Sequence, residues 1–82
     1  MTKEDYAKLV MDALFAVAPD AAGSHIMPDE TFREQFEIDS MDFLNFIIGL
    51  SKATGLPIPE RDYSQLQTLE ACIDYLQRRM EA

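Results

Sequence analysis

The sequence predicts an all-α fold, a small antiparallel bundle of three main helices plus one short helix. Three observations carry that expectation. Apolar residues recur at helical spacing in three separate segments, each preceded by a residue able to cap a helix. Every proline (Pro19, Pro28, Pro57 and Pro59) falls between those segments. No stretch alternates apolar and polar residues with the two-residue period of a half-buried strand.

The first helix starts at Thr2, whose spacing to Asp5 resembles a capping box with Asp where Glu or Gln is usual. Tyr6, Leu9, Val10, Ala13, Leu14 and Val17 then form one apolar face over roughly four turns. Ala18-Pro19-Asp20 ends it. The connection from about Pro19 to Asp39 is long enough to be functional or to contain structure of its own. Pro28, Asp29, Thr31 and Glu34 suggest a turn within it, with Phe32, Phe36 and Ile38 as pegs into the core.

A second main helix is expected from Ser40, as N-cap, to just before Gly55, which suits the left-handed position beyond a helix. Pro57 and Pro59 impose an extended link and a short turn around Glu60 to Ser64. Thr68 caps the last helix, where Leu69, Cys72, Ile73, Leu76 and Met80 form one stripe. Arg78 and Arg79 occupy its last turn, where positive charge suits the helix dipole.

With 82 residues, 48% of them hydrophobic, residues 1–82 read as one domain with a real core. Fifteen acidic against seven basic residues give a net charge of −8. That balance speaks against nucleic acid and against stable binding to anionic membranes. The apolar run from Leu9 to Ala18 is interrupted by Asp12 and follows a mixed flank of Lys3, Glu4 and Asp5, so neither a secretion signal nor a membrane span is expected. A single cysteine, Cys72, excludes an internal disulfide framework; it reads as a small core hydrophobe in a cytoplasmic protein.

The second helix is too apolar for one face. Phe43, Phe46, Ile47, Leu50 and Thr54 share the side expected to meet the core. Met41, Leu44 and Ile48 form a second stripe that two neighbouring helices need not cover, and such a stripe marks a contact surface. Ser40 stands beside it, where the free amides of a helix start tolerate an attached phosphate.

Asp39-Ser40-Met41, followed by Asp42, resembles the modified-serine motif of acyl carrier proteins. The resemblance covers nearly the whole chain: "TFREQFEIDSMDF" is similar to the family's approach to that serine, and "GLPIPERDYSQLQTLEACIDYL" to its third and fourth helices. It implies an acyl-carrier-like bundle in which Ser40 carries 4′-phosphopantetheine, transferred from coenzyme A by a separate phosphopantetheinyl transferase. Asp39 would help to dock that transferase and its metal ion. Met41, Leu44 and Ile48 would touch partner enzymes, with Asp42 and Glu60 as acidic guides. An acyl ligase or acyltransferase and downstream biosynthetic enzymes would load and use the arm, and the protein, a monomer, would catalyse nothing itself.

Two departures from the family's usual pattern point to a specialised carrier. The second helix offers Asn45, Ser51 and Lys52 where fatty-acid carriers are strongly acidic, and Glu37 and Ile38 stand where glycine is frequent. An aminoacyl or peptidyl carrier is the neighbouring alternative, although Gly-Gly before Asp-Ser is missing. A helical interaction module without a cofactor would use the 41/44/48 stripe alone. A hydrolase would need Ser40, His25 and Asp39 or Asp29 as a triad, but no Gly-x-Ser-x-Gly elbow surrounds Ser40. Asp29 and Glu30 lack the pattern of a calcium loop. Tyr63 and Tyr75 read as packing residues with hydroxyls in water.

Overall fold

The computed structural model describes residues 1–81. It is all-helical, and its long helices are α1 (Lys3–Val17), α3 (Ser40–Thr54) and α4 (Leu69–Met80), with a four-residue α2 (Phe32–Gln35) before the second of them. Two 3-10 segments complete it, Pro19–Ala21 and Glu60–Leu66.

Helix α1 is the centre, packing against both α3 and α4. Its start is the expected capping box: Thr2 Oγ1 accepts the Asp5 N–H at 3.2 Å and the Asp5 carboxylate accepts the Thr2 N–H at 2.9 Å. Tyr6, Val10, Ala13 and Leu14 are buried, and Leu9 and Val17 flank them half-buried. Tyr6 also donates a hydrogen bond of 2.6 Å to Glu81, tying α1 to the end of α4. That bond, together with burial, pushes the Tyr6 hydroxyl up to about 12.

The long connection is pinned rather than loose. Ile26, Phe32 and Ile38 enter the core, whereas Phe36, expected as a peg, is only half-buried. Where a turn was expected, Thr31 caps α2 by accepting the Glu34 N–H at 3.2 Å. The Phe32 N–H donates to the Gln67 carbonyl at 2.9 Å and the Glu70 N–H to the Pro28 carbonyl at 3.0 Å, so the connection is held against the start of α4. The Gln35 side chain closes the loop on itself through Met27 and Glu30. Of the backbone groups bonded here, the N–H of the fully buried Phe32 is the one that would otherwise lose its partner on burial.

Helix α3 buries Phe43, Phe46, Ile47 and Leu50 of the face read from the sequence and leaves Thr54, its last member, half-buried. Phe46 is fully enclosed, edge-on to Phe32 at 5.3 Å and tilted against Phe43 at 6.0 Å. The helix ends at Gly55, whose φ of +74° is the left-handed conformation that glycine adopts without a Cβ penalty.

In α4, Leu69, Cys72, Tyr75 and Leu76 are buried; Ile73 and Met80 lie half-buried at the edge of the stripe. Cys72 is enclosed, donates to the Leu66 carbonyl, and burial pushes its thiol far above the ordinary range. Tyr75 departs from expectation. Its hydroxyl is not left to water: it donates to Asp62 at 2.8 Å and accepts from Arg79 at 2.7 Å. Arg79 also reaches Asp62 at 3.3 Å and the Pro57 carbonyl at 3.3 Å, latching the segment around the 3-10 helix Glu60–Leu66 onto α4. Among the described residues, no helix is long and apolar enough to cross a membrane.

The two faces of α3 make a direct stability prediction. Phe46→Ala should cost ~3–5 kcal/mol, because the ring is wholly buried and the structure around such a void relaxes only in part. Ile48, 43% exposed, should lose no more than ~0.5 kcal/mol on truncation to alanine. Urea unfolding of both variants checks this, and equal losses would mean that Ile48 belongs to the core.

Candidate functional site at the start of helix α3

The first turn of α3 is built by its neighbours, not by Ser40. The N-cap is Asp39, one residue earlier than expected. Its carboxylate accepts the Asp42 N–H at 2.9 Å, and the Asp42 carboxylate accepts the Asp39 N–H at 3.3 Å, a reciprocal box with Asp at both ends. Asp and Ser cap about equally well, so the spacing to Asp42 decides between them. Ser40 becomes the first helical residue. Its side chain is exposed, and among the described residues its hydroxyl makes no hydrogen bond.

A cavity of about 340 Å³ opens beside it, lined by Arg33, Ser40, Phe43, Leu44, Glu60 and Tyr63. That volume is near the lower end of small-molecule sites, ~300–1,000 Å³. Phe43 and Tyr63 meet edge-on at 6.4 Å and give it an aromatic wall. The 3-10 helix Glu60–Leu66 thus supplies one side, and its hold on α4 through Asp62 keeps that side in place. A second cavity, about 400 Å³ between Val17–Ala21 and Gln35–Ile38, does not include Ser40.

The residues singled out from the sequence fall into two groups. Met41 (63% exposed) and Ile48 project to solvent. Leu44, expected in the same exposed stripe, is half-buried and turned into the cavity wall with Ser40 and Glu60. Asp42, expected as an acidic guide, is half-buried with its carboxylate engaged in the cap. His25 lies exposed in the connection, outside the lining of the cavity that Ser40 shares, and makes no hydrogen bond to the serine hydroxyl that a triad requires. Sequence reasoning missed Arg33 and Tyr63 as parts of the site. Arg33 has no periodicity to mark it; its only signal is its place seven residues before Ser40.

An exposed, unengaged serine thus stands at the start of a 15-residue helix, beside a partly apolar cavity. A family described as the phosphopantetheine attachment site matches residues 12–76, and the chain belongs to that family, that of the acyl carrier proteins. It is 36% identical over 53 residues to an acyl carrier protein of Rubrobacter xylanophilus, a match spanning 65% of each chain. It is 28% identical over 79 residues to an acyl carrier protein of Lactobacillus johnsonii, spanning 93% of this chain and 94% of the relative. One of Thermobifida fusca is 24% identical over 74 residues, 87% of this chain and 94% of that one. Family membership makes the chain a carrier rather than an enzyme, with a covalent 4′-phosphopantetheine group. The site fits such a group: a free hydroxyl, helix amides behind it, and an apolar wall with one cation, Arg33.

The cap assignment separates two neighbouring residues. Asp39→Ala should cost ~0.5–2 kcal/mol as a lost N-cap. Ser40→Ala, exposed and free of hydrogen bonds, should stay within ~0.5 kcal/mol of the parent. Denaturant midpoints of the two variants test it; a larger loss at position 40 than at 39 would return the cap to the serine.

Proposed function

We propose that Ser40 is the attachment serine and that residues 1–82 act as one acyl carrier domain. The observation that carries this reading is the division of labour in the first turn of α3: Asp39 and Asp42 satisfy the cap, and the Ser40 hydroxyl is left for modification. When bound, the arm supplies a tether ending in a thiol that holds acyl groups as thioesters. Asp39, exposed beside the serine, keeps one carboxylate oxygen outside the cap and can meet the phosphopantetheinyl transferase. Met41 and Ile48 offer exposed apolar contact to partner enzymes, with Leu44 behind them and Asp42 and Glu60 as nearby negative charge.

The partners under this reading are the transferase, an acyl ligase or acyltransferase, and the biosynthetic enzymes that take the cargo onward. Asn45, Ser51 and Lys52 dilute the negative charge of α3 and favour a specialised lipid or polyketide-type role over bulk fatty acid elongation. A monomer in the cytoplasm fits the buried, unpaired Cys72 and the net charge.

Incubation with coenzyme A and a broad-specificity transferase should add one arm, seen as one mass increment of the intact protein. Ser40→Ala should stay unmodified with unchanged helical circular dichroism. An acyl ligase should then load the holo form, and an amino-acid adenylation enzyme should not. Wild type left unmodified by several transferases, or a modified Ser40→Ala, would contradict the assignment; aminoacyl loading would make it an aminoacyl carrier.

A further inference from the structure

We propose that Arg33 is a binding residue for the phosphodiester of the attached arm, holding the root of that arm on the cavity side of α3. This rests on the Ser40 attachment proposed above. Arg33 is the one basic side chain in the lining of the cavity that Ser40 shares. Its backbone is fixed by its neighbours: Thr31 caps the short α2, and Phe32, next to Arg33, is fully buried with its N–H bonded to Gln67. Yet among the described residues its guanidinium has no carboxylate partner; the ion pairs there are Lys8 with Asp12 and Arg79 with Asp62. That is notable in a segment holding Glu30, Glu34 and Glu37. Glu60 shares the cavity lining but makes no ion pair with it either.

The chemistry of the site calls for a cation. A phosphodiester on Ser40 brings a negative charge between Asp39 and Asp42, whose carboxylates are held in place by the cap. The amides of Ser40 and Met41, which have no acceptor among the described residues, meet part of that charge. A guanidinium offers what they lack: a full charge and a planar fork that matches two phosphate oxygens at once. Bound there, the arm starts along Phe43, Leu44 and Tyr63 instead of out over Met41.

The test uses full-length protein loaded with the arm, its loading verified by intact mass. Phosphorus NMR of the loaded wild type should give a resonance that moves with added salt over the range where the Debye length falls from ~10 to ~3 Å. The Arg33 side-chain Nε–H signal should shift between the apo and loaded forms. Arg33→Gln should displace the phosphorus resonance and remove its salt dependence, while Arg33→Lys, which keeps the charge without the fork, should fall between. Identical phosphorus spectra for wild type and Arg33→Gln, on proteins shown to carry the arm, would overturn the role of Arg33 and leave Ser40 as the attachment site. Absence of the arm from wild type would overturn both.

Discussion

The first turn of a helix has four amide N–H groups without partners inside the helix, and how α3 satisfies them decides everything about its serine. A serine used as the cap would have its oxygen tied to the backbone, and modifying it would compete with folding. Here two aspartates cap each other across Ser40 and Met41. The reciprocal cap forms without the serine hydroxyl, which stands exposed at a positive helix end. Availability for chemistry is therefore a consequence of how the local backbone is paired.

That arrangement works only if the chain arrives at Asp39 from a fixed direction. The connection from α1 is held by Ile26, Phe32 and Ile38 in the core and by backbone bonds to the start of α4. Phe32 meets Phe46 edge-on, so the same aromatic cluster that anchors α3 also places the residues ahead of the serine. On the other side, the Asp62–Tyr75–Arg79 latch holds the 3-10 helix that brings Glu60 and Tyr63 to the cavity. Core, cap and cavity wall converge on one end of α3.

Much of this is legible in the sequence, because the long helices carry their own signals. Thr2, Thr68 and Gly55 mark helix ends by well-defined local chemistry, and the buried face of α3 follows from helical spacing alone. The cap at α3 lies one residue before the serine that the sequence suggests, although Asp39 and Asp42 have the same spacing as the capping pair Thr2 and Asp5. Leu44 reads as part of the exposed stripe because a helical wheel contains no knowledge of Tyr63 arriving from a distant segment. Tyr75's partners, at 62 and 79, and Arg33's place at the cavity are long-range facts of the same kind.

The central claim is that the fold sets Ser40 aside, so that loading it leaves the helix start intact. Equilibrium urea unfolding of the apo and loaded forms tests this most directly. The account predicts a loaded form as stable as the apo form or slightly more so, by up to ~0.3–1 kcal/mol, since an anion at a helix N-terminus is favourable. A loaded form weaker by ~1 kcal/mol or more, the cost of a missing cap, would contradict it.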